Sequence, residues 1–429
     1  MLNFKRFVLL NLYLLCIHQS HAAIYIQPEC KNQPSVESVG DMLRCGSLTG
    51  SARLRSFSFN NAFFNGQSQD TTSIGGFVTY KTAEYNHFSA ALGIQGQQHI
   101  LKGAHAIGGF DNDNFGLGES YLQWQDKNMK ITLGNQRLNI PFLGDYSSFR
   151  TQPWLYQAAD FVYDNQSYFI HLNTFQKYKS YMGNEFTANS RLNDNAYLKT
   201  INGTSYKQNS DLTTSIGVGK TIKTDDRNLL LQAWFENYQD ITNIFYAQAN
   251  YTLLDQPYQP ELGVQYIQGT ETGDAYLGNI DSKSVGVKLK LNLPHKITVN
   301  SGINYIQTNS DAWEKGRLVT PYSHQTTSDP YFAQTFFTST QDLGAGVFYM
   351  VDTSTKYFDN LNLGLRLTYA DITKSYQNNN DMYEIMPYFV YNFSGKVKGG
   401  SINNFCGLQK EKNDKDPFLN SRLGLNYNF

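Results

Sequence analysis

Apolar and polar residues alternate one by one through segment after segment of the chain. Phe88, Ala90, Leu92 and Ile94 alternate with Ser89, Ala91, Gly93 and Gln95, and Val285, Val287, Leu289 and Leu291 with Gly286, Lys288 and Lys290. Leu361, Leu363, Leu365, Leu367 and Tyr369 alternate with Asn362, Gly364, Arg366, Thr368 and Ala370. The last nine residues repeat the pattern, with Leu423, Leu425, Tyr427 and Phe429 set against Arg422, Gly424, Asn426 and Asn428. A period of two marks a strand with one apolar and one polar face. Each segment runs about ten residues, the length a tilted strand needs to cross a bilayer. The pattern predicts an all-β chain.

Alternation alone does not separate a soluble sandwich from a membrane barrel, since both bury one face and wet the other. The links between strands do. Short links fall near 83–86, 126–127, 164–166, 223–227, 254–260, 293–294, 352–359 and 394–395. Interleaved with them are longer ones at 60–70, 98–113, 138–158, 179–211, 270–282, 308–338, 372–380 and 406–418, with a single short exception near 238–241. Short turns on one side and long loops on the other are the build of an outer-membrane barrel. Counted this way the barrel has about 18 strands, with both ends on the short-turn, periplasmic side. A count of about 16 stays open if 159–164 or 396–405 is loop. Cys406 then falls in an outer loop.

The N-terminus sets the compartment. Lys5 and Arg6 precede an apolar run from Phe7 to Ile17, and Ser20-His21-Ala22 follows with small-residue spacing. This reads as a secretory signal peptide over 1–22, cut after Ala22 or Ala23. Its apolar run is too short for a membrane-spanning helix, which needs about 20 residues. Residues 23–46 read as a short periplasmic segment and 47–429 as the barrel; the former is too short for a receptor plug. An exported chain meets oxidising conditions, so Cys30 and Cys45 are candidates for a disulfide contributing roughly 3 kcal/mol. In a closed barrel the last strand pairs with the first, because hydrocarbon offers no hydrogen-bond partner to a free edge. A terminal aromatic at the interface, Phe429, suits that strand. It is similar to the C-terminal signature read by the barrel insertion machinery.

Composition adds two constraints. A formal net charge of -1 gives no electrostatic case for a nucleic-acid partner. With Tyr 30 and Phe 28 in a chain only 40% hydrophobic, there are rings enough for interfacial girdles. A charge facing lipid at mid-depth costs about 2–4 kcal/mol, so charged residues on strands point into the lumen. The basic candidates are Arg53, Arg55, Lys288, Lys290, Arg366 and Arg422, and the acidic ones Glu119, Glu236 and Glu384. Together they form a ladder whose field draws anions through a constriction, or ordinary lumen solvation with scattered ion pairs.

Several segments resemble the OprD-like family of substrate-specific outer-membrane porins, in that family's order. They are GSLTGSARLRSFSFN, LGESYLQW, LGNQRLNIPFLGDYSSFRTQP, TSDPYFAQTF and RLGLNYNF. The third, Leu133 to Pro153, is the most specific, with Gly134, Gln136, Pro141, Asp145, Arg150 and Pro153 on the matching positions. The resemblance implies an 18-stranded barrel whose third outer loop folds inward. It implies a constriction loop carrying Pro141, Asp145, Arg150 and Pro153, and a basic ladder that guides anionic or zwitterionic solutes. Asn135 stands where the family has an arginine, and Arg137 is the substitute two residues on. Monomers or weak trimers are implied, in contact with outer-membrane lipid and lipopolysaccharide of a Gram-negative bacterium.

Other motifs fail on inspection. GVGKT, Gly217 to Thr221, lacks the leading glycine of a phosphate loop and sits on a strand. DNDNFG, Asp111 to Gly116, lacks the twelfth-position acid of a calcium loop, where Leu122 stands. No residue set suggests a metal or other cofactor, and no Ser–His spacing suggests an enzyme. The expected function is passive diffusion of small hydrophilic solutes. The alternatives are an adhesin or structural barrel working through loops 179–211 and 308–338, or a barrel hydrolase.

Overall fold

The computed structural model describes Cys30, residues 35–188, Ser190 and residues 211–322, 328–373 and 381–429. The signal peptide expected over 1–22 lies outside the described residues. Six strands fill the first part of the barrel: β1 Ser47–Asn60, β2 Gln69–Lys81, β3 Phe88–Lys102, β4 Asn114–Asp126, β5 Met129–Gln136 and β6 Leu155–Asp164. Then come β7 Tyr168–Lys179, β8 Thr213–Lys223, β9 Arg227–Tyr238, β10 Thr242–Leu253, β11 Glu261–Glu271 and β12 Asp281–Leu293. The last six are β13 Ile297–Ile306, β14 Gly346–Phe358, β15 Leu361–Ile372, β16 Met382–Asn392, β17 Gly400–Glu411 and β18 Phe418–Asn428. Each pairs antiparallel with its neighbours in sequence, and β18 pairs with β1 from Ser51↔Asn428 to Asn60↔Leu419. The sheet has no free edge.

The period of two now has its cause. On β12, Val285, Val287 and Leu289 point outward and are about half exposed, while Ser282, Ser284 and Gly286 face inward and are buried. On β15, Leu363, Leu365 and Leu367 are outward, with Arg366 and Thr368 inward. A continuous band of exposed leucine, isoleucine and valine suits hydrocarbon outside, while the inward faces carry polar residues together with apolar and aromatic ones, such as Trp234, Tyr246 and Phe348, that pack against loops 137–154 and 307–345.

Phe429 completes the seam. Its N–H donates to Gly50 O at 3.1 Å, and Gly50 N–H donates to Phe429 O at 2.9 Å. A side chain at Gly50 would lie 2.7 Å from the Phe429 ring, so only glycine leaves that ring its place.

At the short-turn end, helix α1, Val39–Arg44, is N-capped by Ser38, whose Oγ accepts from Asp41 N–H at 3.1 Å. Ala83 N–H donates to Met42 O at 3.0 Å, which holds the helix against the β2–β3 turn. Cys30 and Cys45 are disulfide-bonded, with Cα atoms 5.3 Å apart.

Four expectations need correction. Cys406 lies within β17, not in an outer loop, and it is exposed on the outward face beside Leu408. The loop expected at 406–418 shortens to 412–417, and the turn expected at 394–395 widens to 393–399. Likewise β14 continues through Phe358, so Asp352 is a mid-strand lumen residue rather than part of a turn at 352–359.

Candidate functional site: lumen-facing charges and two loops

Loop 3, 137–154, joins β5 to β6, and loop 7, 307–345, joins β13 to β14. Both touch side chains that face the lumen. Arg53 of β1 donates to the backbone carbonyls of Ser147 and, at 3.1 Å, Arg150; Arg55 donates to Ser148 O at 3.3 Å. Across the loop, Gln95 of β3 donates to Pro153 O at 3.1 Å, and Thr151 donates to Gln97 Oε1. Loop 3 is thus held largely through its backbone carbonyls, with a packed interior of its own. Asp145 accepts from Ser147 N–H at 3.0 Å and Ser147 Oγ at 2.9 Å, a local turn built by a short acidic side chain. Phe142, Leu143 and Tyr146 are fully buried.

Loop 7 bonds to loop 3. Phe142 N–H donates to Ser328 O at 2.9 Å, and Tyr146 Oη donates to Tyr322 O at 3.0 Å. From there loop 7 runs along the lumen wall. Phe332 N–H donates to Gln265 Oε1 at 2.9 Å, and Ala333 N–H to Asn304 Oδ1 at 2.7 Å. Phe336 and Phe337 N–H groups donate to the Glu384 carboxylate at 2.7 and 3.0 Å, and Gln409 Nε2 donates to it at 2.9 Å. Buried backbone donors need acceptors, and these wall side chains supply them.

The basic residues fall into two sets. Some are matched by acids: Lys288 with Glu261 at 2.7 Å, Arg366 with Asp352 at 2.7 Å, and Arg137 with Glu119 at 3.0 Å. Lys290 makes no ion pair among the described residues. The others, Arg55, Arg150 and Arg422, are buried without an ion pair among the described residues, and the last two lie against rings. Arg150 lies 4.6 Å from the centroids of Phe110 and Tyr181. Arg422 lies 5.2 to 5.8 Å from Phe337, Phe336, Phe57 and Phe59. Arg53 and Arg137 lie on Phe77, at 5.0 and 5.1 Å. Guanidinium on an aromatic face is stabilised by the ring quadrupole.

Asn135 gives its amide to Ser120 Oγ at 2.8 Å. Arg137 stands just beyond the end of β5, where it also approaches Asp145 at 4.0 Å. Glu236 is buried under Tyr238, whose hydroxyl donates to it, and Ser215 Oγ lies at 3.5 Å. Pro141 lines a lumen alcove of about 560 Å³ with Arg137, Asp160, His171, Trp234 and Asp329.

Sequence reading missed the acids that matter most to these cations, Glu261 and Asp352, and missed loop 7 as a lumen element. Asp329 is the other omission. Burial pushes its carboxyl up to about 7, although the N–H groups of Tyr331 and Gln341 hold it at 2.9 and 3.4 Å. Among the described residues, no cluster of His, Cys, Asp and Glu is arranged to hold a metal.

No protein-family model matches the chain, and none of the curated proteins matches it by sequence. Solved structures do match. A BenF-like porin from Pseudomonas fluorescens Pf-5 is similar with a TM-score of 0.74 at 10% identity, covering 90% of this chain and 99% of that one. OpdK from Pseudomonas aeruginosa, solved with vanillate, gives 0.70 at 13% identity over 89% and 98%. OccAB4 from Acinetobacter baumannii gives 0.70 at 14% identity over 89% and 98%. Across so little sequence identity, nearly the whole chain shares one fold with these proteins, the closed antiparallel barrel of 18 strands.

Proposed function

We propose that the protein is an OprD-like porin: a passive, substrate-selective diffusion channel in a Gram-negative outer membrane, without enzymatic activity. One observation carries the reading most: loops 3 and 7 are bonded to lumen-facing side chains, and Lys288, Lys290 and Arg366 stand on inward strand faces. Loop 3, with Pro141, Asp145, Arg150 and Pro153, narrows the pore. Lys290, Lys288 and Arg366 draw small anionic or zwitterionic solutes towards it by their summed field. A solute exchanges part of its hydration for contacts with these cations, each tempered by its acid so that release stays fast. The binding of vanillate, an anion, by the similar OpdK supports the sign of this selectivity.

An adhesive role for loop 7 is disfavoured by its contacts, since Phe332 to Phe337 bond inward to Gln265, Asn304 and Glu384. Single-channel recording of purified protein under a salt gradient tests the proposal. Discrete conductance steps with a reversal potential displaced towards the anion are expected. Absence of steps from verified folded barrels would mean a sealed lumen and end the channel reading.

A further inference from the structure

Three arginines converge at the seam of the barrel with no acid within ion-pair distance among the described residues. Phe57 of β1 pairs in register with Arg422 of β18, and Arg55 with Gly424. A side chain on Gly424 would lie 2.9 Å from Arg55 Nη1, so the Arg55 guanidinium sits over β18 two residues from Arg422. Arg150 of loop 3 reaches the same place, since it and Arg422 lie 5.9 and 5.6 Å from the one Phe57 ring. Arg55, Arg150 and Arg422 are 2%, 7% and 5% exposed.

None of the three forms an ion pair among the described residues. The nearby Glu384 has both carboxylate oxygens occupied by Phe336 N–H, Phe337 N–H and Gln409 Nε2. Carbonyls and rings satisfy part of the guanidinium surface: Arg55 donates to Leu54 O and Ser148 O, Arg422 to Asn420 Oδ1, and Arg150 to Tyr181 Oη. Two donors are left over. Arg150 Nε and Asn420 Nδ2 are both buried without an acceptor. The Asn420 amide is oriented by the bond its oxygen accepts from Arg422, so its nitrogen is a true orphan donor. Orphan groups in natural interiors are rare, and unpaired buried cations rarer. Arg150 Nε and Asn420 Nδ2 are both donors beside uncompensated guanidinium groups, a setting that favours an anion.

We infer that this cluster holds one small inorganic anion, of halide size, as a permanent counter-ion at the β1–β18 seam, bonded by Arg150 Nε, Asn420 Nδ2 and the neighbouring guanidinium edges. The buried rings of Phe57, Phe110, Phe336 and Phe337 pack about Arg150 and Arg422, which favours an ion of halide size. The anion is a structural component and not the permeant solute, so the inference stands apart from the channel reading.

The test uses purified folded protein and reads stability and electron density, not current. Thermal unfolding is followed in sodium chloride, in sodium bromide and in sodium gluconate at equal ionic strength. A saturable rise in melting temperature with chloride or bromide is expected, and no rise with gluconate. Crystals grown in bromide should show an anomalous peak within hydrogen-bond reach of Arg150 Nε and Asn420 Nδ2. Arg150→Gln should lose the halide dependence, while Lys396→Gln, in the turn 393–399, should keep it. Identical melting in chloride and gluconate would overturn the inference even if Arg150→Gln fails to fold. A bromide peak without any stability effect is binding at crystal concentration only, and overturns it as well.

Discussion

The Glu384 carboxylate accepts the backbone N–H of Phe336 at 2.7 Å and so fixes loop 7 to β16. An acidic residue on the wet face of a strand here serves the fold of a loop.

Removing that anchor has a readable effect. Glu384→Ala frees Phe336, Phe337 and Gln409 donors in a buried setting, at a cost of about 3 kcal/mol. Loop 7 should detach while the barrel persists. The expected result is a larger single-channel conductance with weaker ion selectivity. Unchanged conductance would mean that loop 7 does not narrow the pore.

Charge reversal separates paired from unpaired cations. Arg366→Glu combined with Lys288→Glu should move the reversal potential towards cations, and an unmoved potential would remove both from the ladder. Each of these leaves its acid, Asp352 or Glu261, against a like charge, so the barrel should also melt lower. Lys290→Gln is the cleaner probe, because it shifts selectivity without breaking an ion pair.

Protonation of Asp329 should make loop 7 pH-sensitive. Its carboxyl titrates at about 7 in the folded protein against an ordinary 3.8. The folded state therefore binds the proton more tightly, and the group's contribution is fully present below about pH 4 and lost as pH rises through about 7. Open-channel noise should grow across that window, as loop 7 loosens. Asp329→Asn should flatten the dependence; an unaltered pH profile in that variant would assign it to another group.

Deleting Phe429 removes both hydrogen bonds to Gly50 and the ring that covers it. Membrane assembly should fall sharply, while each molecule that inserts conducts normally. Outer-membrane levels equal to those of the intact chain would contradict this role.

The wall of the barrel was legible in the sequence because its cause is local. Leu363, Leu365 and Leu367 alternate with Gly364, Arg366 and Thr368 whatever lies across the lumen. Where β17 was misplaced, the alternation itself is broken: Phe405 faces inward to stack on Phe336 at 5.0 Å, and Asn404 faces out. The parity of Lys288, Arg366 and Arg422 was readable for the same local reason. Their partners were not. Whether Arg422 meets a carboxylate or four phenylalanines depends on where loop 7 comes to rest, and no periodicity in residues 307–345 encodes that.

The arginine cluster draws its members from both ends of the chain, with Arg55 on the first strand, Arg422 on the last and Arg150 on a loop that Arg53 and Arg55 hold. Its charge is therefore not assembled until the two ends have met. A barrel halted one pairing short of closure has a gap in its wall and, at the same place, half of its charge cluster. Wall and field are completed in a single event, so a half-built barrel has neither the seal nor the electrostatic landscape of the finished one.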